Sequence, residues 1–501
     1  MKFYITTPIY YVNDKPHIGH AYTTVTADVI ARYHRTLGDE VKLLTGTDEH
    51  GAKIMEAATK NGKSPKEFCD EQTVKFQKAW EALGIQYDHW MRTTYDYHER
   101  RAGIFLQKLF DKGLIYKGIY KGLYCVGCES YKTETDLVGG LCLDHKKAPV
   151  ILEEENYFFK LSAFNGQLQE LIEKGELIIA PESRRLEMLG LLKQGLNDIA
   201  ISRKNVSWGI PLPWDPEQTA YVWIEALMNY ATAVGLFEDP SSFAKWWPAD
   251  VHLMAKDIVK FHALIWPAML LGAGLPLPRM VYAHGFFTVD GSKMSKTLGN
   301  TIDPLELAAE YGADSMRYLL LSDFAFGEDG DISHSRFATR YKADLADGIG
   351  NLASRVAALS GKLGEWEIHY PSYSDFPIRV SGLWSLYHQK MKKFAFHEVL
   401  SDIRAFVTQC DQYVEETKPW ELAKTNPDQL KEVLSNLLES LRHISLALAP
   451  FMPVISEKLL VQLGGKDLSR SEKWGSLSGK IQMAKLEPLF PRKELSLPKT
   501  N

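Results

Sequence analysis

Cysteine is scarce in this chain, five residues among 501, too few for a disulfide framework. Long hydrophobic runs are missing as well, for no segment approaches the roughly 18 unbroken apolar residues of a membrane span. Neither sign of charge prevails. A net charge of −5 excludes a protein that holds nucleic acid through a global basic field, so any RNA contact must rest on local patches and shape. From Asp347 onward acidic and basic residues are near balance. No heptad run, low-complexity tract or internal repeat occurs. A strand pattern begins by residue 3 and leaves no room for a targeting peptide, so a cytoplasmic protein is expected. What remains is an ordinary soluble composition, 45% hydrophobic and 24% charged, in a chain long enough for roughly three or four domains.

The stretch that organises the rest is Pro16-His17-Ile18-Gly19-His20. Before it stands the strand-like run from Lys2 to Thr7. After it a helical pattern passes through Ala21, Val25, Val29, Tyr33 and Leu37 and stops at Gly38, with a second strand from Val41 to Leu44. A β-α-β unit of this kind turns a helix N-terminus, with its free N–H groups and dipole, toward an anion site. Two histidines there can donate to phosphate oxygens, and Gly19 lets a flat ligand lie on the backbone; they also fit ordinary helix-start residues. Far downstream, Lys293-Met294-Ser295-Lys296-Thr297 has the make-up of a loop that grips phosphate.

Asp48 lies just past the second strand, where open α/β sheets bind ligands. It suits either a substrate ammonium or a turn cap. Ser64 and Glu67 form a capping box with Pro65 at the first helical position, and the helix is expected to reach Gly84. Further elements are a strand from Trp90 to Thr94 and a helix from Tyr97 to Lys112. Later come a strand from Thr219 to Ala226 leading into a helix, and a strand from Val251 to Ile258 leading into another. Aromatic residues crowd these last segments, as they do in an apolar or thioether pocket, or in plain core. From about Phe337 long amphipathic helices are expected over 341–362, 383–417, 429–449 and 454–463.

Three of the five cysteines cluster. Cys125, Cys128, Cys142 and His145 give the spacing C-x2-C-x13-C-x2-H, two tight pairs of the kind that build a closed tetrahedral zinc site, the alternative being unmetallated core thiols. Four protein ligands leave no open position, so the metal is read as structural. Cys69 and Cys410 stand alone as core thiols.

With His17-Ile18-Gly19-His20 and Lys293-Met294-Ser295-Lys296-Thr297 both in view, the chain resembles the class I aminoacyl-tRNA synthetases. A closing threonine stands where the family has serine, and it keeps the hydroxyl. The runs Thr7 to Asn13, Val222 to Ala226 and Lys256 to His262, with the cysteine knuckle, narrow the resemblance to the methionyl-tRNA synthetase family, bacterial type with one zinc knuckle. The resemblance implies an α/β fold: a Rossmann-like parallel-sheet catalytic domain with a zinc-knuckle insertion, followed by an α-helical bundle. Its expected divisions are 1–115 and 217–285 for the two catalytic halves, 116–216 for the insertion with its knuckle at 125–145, 286–345 for a lysine-loop linker domain, and 346–501 for an anticodon-binding bundle.

It also implies ligation of L-methionine to tRNA(Met) through methionyl-adenylate, with magnesium accompanying ATP, zinc as a structural ion, and no membrane or DNA partner. His17, His20, Lys293 and Lys296 would be catalytic; Gly19, Gly285 and Ser295 would join them around ATP. Ile9, Tyr11, Trp223, Ala226, Tyr230, Ile258, Phe261, His262 and Trp266 would enclose the methionine side chain, with Asp48 on its ammonium. Leu227 departs from the proline of some relatives. Asn351, Arg355 and Trp420 would read the anticodon, and a monomer is expected. Two alternatives remain, a synthetase for another apolar amino acid and a catalytically silent tRNA-binding protein on the same scaffold.

Overall fold

Lys2–Tyr11 (β1), Glu40–Asp48 (β2) and His89–Arg92 (β3) are neighbouring parallel strands, and Val251–Ala255, Met280–His284 and Ile178–Ala180 extend the same sheet from the other side of β1. Such strands are buried on both faces, which is why they read as continuous apolar runs. The structure, a computed structural model, describes residues 1–125, 130–132, 137–143, 146–289, 291–293, 302–464, 470–483 and 487–492. It divides into two compact units, one of Met1–Ala27, His34–Glu81 and Ile85–His284, the other of Asp28–Tyr33, Ala82–Gly84 and Gly285–Asn501.

Parallel neighbours need crossovers, supplied by Ile18–Thr36 (α1), Ala52–Lys60 (α2), Pro65–Ala82 (α3) and Asp96–Asp111 (α4). α1 closes with His34 and Arg35 in its last turn and with Gly38 at φ 82°, a favourable end for the helix dipole and a left-handed stop. α3 begins with the expected capping box. Ser64 donates its hydroxyl to Glu67 at 2.7 Å, and Glu67 accepts the Ser64 N–H at 3.0 Å.

Strand order reverses between β1 and Val251–Ala255. Ile5 and Thr6 pair with Val251 and His252, and after a register shift beyond Thr6 the strand continues with β2, ending at Tyr11 beside Asp48. A crevice therefore opens at the carboxyl ends of the strands, the place where doubly wound sheets bind ligands.

The insertion is a long antiparallel ribbon, Ile115–Cys125 against Val150–Phe159, flanked by Ser130–Lys132 and Ile199–Ala200. Helices Asn165–Glu173 and Glu182–Gln194 follow. Two expected strands are shorter than the sequence suggests. The one expected to run to Ala226 ends at Ala220, and Val222–Leu227 is helix; β-branched and aromatic residues favour strand locally, but burial of Val222, Ile224 and Leu227 in the core prevails. Val251–Ala255 stops before Lys256, where a 3-10 turn and then a π-helix, Phe261–Ile265, take over.

In the second unit Phe287–Val289 is the middle strand between Ser292–Lys293 and Gly330–Ile332. The bundle comprises Gly350–Gly361, Phe376–Met391, Phe396–Thr417, Pro419–Thr425, Pro427–Leu448 and Pro453–Gly464. The expected helix over 383–417 is thus two helices, broken at Phe394 with φ 57°, a turn that periodicity alone hides. The segment 341–349 that precedes Gly350–Gly361 is π-helical. Among the described residues no helix is long and apolar enough to cross a membrane.

Candidate active site

His17 precedes α1 and His20 lies in its first turn, their rings stacked with centroids 3.7 Å apart. Gly19 N–H donates to His17 Nδ1 at 3.1 Å, and His17 N–H donates to His20 Nδ1 at 3.4 Å. Each Nδ1 is therefore an acceptor, which leaves the proton of the neutral ring on Nε2 as a donor. Burial lowers His17 to about 4 and, with His17 beside it, His20 well below the usual imidazole range. A Cβ on Gly19 would stand 3.0 Å from His17 Cε1, so the glycine is what lets the ring fold back. The Tyr10 ring packs tilted against His20, centroids 4.7 Å apart, and its hydroxyl donates to or accepts from Thr24 at 2.6 Å.

Asp48, 4% exposed, ends β2. The next residue, Glu49, is a buried hub. It accepts from Arg92 at 2.6 and 2.9 Å, from Thr47 and Thr94 at 2.6 Å and from Thr73 at 2.9 Å, while its carbonyl accepts Trp208 Nε1 at 2.6 Å. A buried carboxylate with this many donors is satisfied and immobile. His50 follows, bonded to Glu225 at 2.9 Å, and its carbonyl accepts the Tyr11 hydroxyl at 2.8 Å.

Beside these lie the apolar residues expected to form a pocket. Ile9, Tyr11, Trp223, Ile258 and Phe261 are partly exposed while packing on the core, and Trp223 and Phe261 stack at 4.6 Å. Tyr230, His262 and Trp266 are buried; so is Ala226. His262 Nδ1 faces the Ile258 carbonyl at 3.0 Å, which requires a proton there, so Nε2 accepts the Tyr230 hydroxyl at 2.7 Å. Burial lowers His262 to about 4, a neutral ring in an apolar wall.

The other expected residues fall in separate places. Gly285 packs so tightly that a Cβ would meet the Glu328 carbonyl carbon at 2.3 Å, which gives this glycine a packing reason of its own. Lys293 belongs to a two-residue strand, and Ser295 and Lys296 lie outside the described residues. Cys125 and Cys142 are buried, the first at the end of the ribbon and the second in a hairpin, Leu137–Val138 with Leu141–Cys142. The Cys142 carbonyl accepts Lys146 N–H at 2.8 Å. Their thiols suit zinc; Cys128 and His145 lie outside the described residues. In the bundle Arg355 pairs with Glu415 at 2.6 Å and lies 6.0 Å over the ring of Trp420, which is 40% exposed. Asn351 is one turn earlier on the same helix.

The family model described as tRNA synthetases class I (M) matches residues 3–143 and 132–357, and that of the anticodon-binding domain of tRNA ligase matches 379–494. Methionine–tRNA ligases of Thermotoga maritima and Streptomyces coelicolor are each 43% identical over 98% of this chain, covering 80% and 97% of their own lengths. The chain belongs to the class I methionyl-tRNA synthetases. The Mycobacterium tuberculosis methionyl-tRNA synthetase in complex with methionyl-adenylate has a TM-score of 0.92 and 35% identity, covering 98% of this chain and 100% of that one; its apo form has a TM-score of 0.86 and 32% identity, covering 98% of each chain. Against this family background, sequence reasoning missed Glu49, Arg92, Glu225 and His98. Glu225 alone stands inside an apolar run, Val222 to Met228; Glu49, Arg92 and His98 have polar neighbours in the sequence and give no such signal before the fold brings them together.

Proposed function

We propose that the chain ligates L-methionine to tRNA(Met) in two steps. The methionine carboxylate attacks the α-phosphorus of ATP, releasing pyrophosphate, and a ribose hydroxyl of the terminal tRNA adenosine then takes the methionyl group from the adenylate and releases AMP. Three features of the first unit support the reading: stacked neutral histidines at the start of α1, a buried carboxylate ending β2, and a group of aromatic residues packed on the core, among them Tyr11, Trp223 and Phe261.

In this reading Asp48 holds the substrate ammonium. Ile9, Tyr11, Trp223, Ala226, Tyr230, Ile258, Phe261, His262 and Trp266 enclose the thioether chain. His17 and His20 donate from Nε2 to oxygens on the α-phosphate as charge builds there, and Lys293 and Lys296, with Ser295, Gly19 and Gly285 around the nucleotide, hold the departing pyrophosphate. Magnesium accompanies ATP. Cys125, Cys128, Cys142 and His145 hold one zinc ion, which serves structure because no coordination position is left for substrate. Asn351 and Arg355 read base edges while Trp420 stacks an unpaired base. The divisions follow the same roles: catalytic halves at 1–115 and 217–285, insertion at 116–216, linker at 286–345 and bundle at 346–501, in a cytoplasmic monomer.

Amino-acid-dependent ATP–pyrophosphate exchange, comparing methionine with isoleucine, valine, leucine and cysteine, tests this directly. Exchange with methionine alone is expected. Exchange with another of the five would move the chain to a different substrate, and none with any, in folded and zinc-loaded protein, would leave a silent tRNA-binding scaffold.

A further inference from the structure

One buried carboxylate ties together the elements around the proposed methionine site. Glu225 lies on Val222–Leu227 between Trp223 and Ala226, and its side chain is wholly buried. It accepts from His50 Nδ1 at 2.9 Å and from His98 Nε2 at 2.9 Å. His98 belongs to α4, and its other nitrogen lies 2.8 Å from Thr232 Oγ1 on Asn229–Thr232, the short helix that carries Tyr230. His50 follows Asp48 by two residues, and its carbonyl holds the Tyr11 hydroxyl at 2.8 Å. The wall of the side-chain pocket and the carboxylate assigned to the ammonium are thereby fixed to the same group.

We propose that Glu225 and His50 form a positioning pair for amino-acid binding: Glu225 cancels the charge of His50, so that Asp48 alone sets the field at the substrate ammonium, and it fixes the distance between Asp48 and the side-chain pocket. The inference rests on the methionine-binding reading given above. The groups that face His50 are Glu225 at 2.9 Å, Glu99 at 3.6 Å from Nε2, Asp48 two residues before it at the end of β2, and the Trp208 ring at 5.5 Å, with His98 on the far side of Glu225. Burial opposes the imidazolium, but the charge and hydrogen bond of Glu225, then Glu99 and Asp48, outweigh it and raise His50 to about 10. At neutral pH the pair is a buried cation and anion in contact. Without Glu225 the cation would lose its contact partner, keep only the more distant Glu99 and Asp48, and oppose a second cation, the ammonium, until it lost its proton.

The test is the methionine KM, read by pyrophosphate exchange from pH 6 to 8.5, for wild type, Glu225→Gln and the double variant His50→Gln/Glu225→Gln. Wild type is expected to be flat. E225Q is expected to show a KM raised about tenfold at pH 6 that relaxes toward wild type by pH 8.5, with kcat and the ATP KM within about threefold, since His50 now titrates near its ordinary value. The double variant, which buries no unpaired charge, is expected to be flat and within about threefold of wild type. A KM for E225Q raised equally at every pH overturns the pairing, as does a double variant no better than E225Q. Should E225Q not fold, the double variant decides alone: a flat profile near wild type supports the pairing, and a KM raised more than about tenfold overturns it. An active wild type with a pH-flat E225Q defeats the pairing only, whereas a wild type silent with methionine defeats the underlying function and the pairing with it.

Discussion

Gly19 shows how one missing atom sets the geometry of the proposed catalytic histidines. Its N–H holds His17 Nδ1, and the His17 ring occupies the place a Cβ would need, 3.0 Å away. Gly19→Ala is expected to push the ring aside and slow adenylate formation by roughly 10-fold to 100-fold, the scale of a small misplacement of a reacting group, with the methionine KM little changed. Equal losses in kcat and in methionine affinity would refute this account. Lys296, assigned to pyrophosphate, makes a complementary prediction. Lys296→Ala should reduce the single-turnover rate of adenylate formation by about 100-fold or more while methionine binding, followed by equilibrium titration, stays nearly intact; a large loss of methionine affinity would contradict the role. The histidines, Asp48 and the pocket aromatics were legible as residue types in a pattern. Glu49 was not, because a buried glutamate announces nothing until Arg92, Thr47, Thr73 and Thr94 converge on it.

At the scale of elements, local rules succeed where a helix end writes its own signature. The Ser64 and Glu67 box opens α3 as the sequence requires, and Ser64→Ala is expected to cost about 1 kcal/mol, measurable as a shift of the denaturation midpoint with activity unchanged. Local rules fail at Val222–Leu227. Its β-branched and aromatic residues suit a strand, but as a helix it directs Glu225 inward while Trp223 stays partly exposed beside Phe261. The proposed knuckle is a third case: Cys125 ends one strand and Cys142 lies in a short hairpin, and a zinc ion would tie the two together. Prolonged chelation is expected to remove about one zinc per chain, by elemental analysis, and to lower thermal stability; a chain that carries no zinc when purified with the metal supplied would remove the ion from the account.

For the whole molecule, the first unit carries several imidazoles kept neutral by burial. His262 and His89 are lowered to about 4, and His252 well below the ordinary value. A histidine depressed in the folded state gives stability that is complete above its unfolded value near 6.5 and is lost as pH falls toward the folded value. For His262, which is 3% exposed, the full loss is about 3 kcal/mol. His50 runs the other way, its contribution complete below about 6.5 and lost as pH rises through about 10. Denaturant unfolding should therefore show a steep loss of stability between pH 6.5 and 4, and a midpoint that does not move across that window would contradict the neutral assignment of these rings. The bundle of the second unit has a different anchor, the buried pair Arg442 and Glu439 at 2.8 Å, with Arg442 also donating to the Ser471 and Lys473 carbonyls and Glu439 accepting the Ser476 and Leu477 N–H groups.

By itself the sequence determined most of the order of strands and helices, the histidine and lysine motifs, the knuckle spacing and most of the apolar side chains at the proposed pocket, because periodicity, capping and motif spacing are local properties of the chain. Tertiary structure decided where β1 leaves Val251–Ala255 and opens the crevice, that Val222–Leu227 turns as a helix, and that Glu49 and Glu225 become shared anchors for distant donors. The physical reason is common to all three. A buried carboxylate or a splayed strand is stable only through partners far away in sequence, and those partners acquire a position only when the sheet has formed.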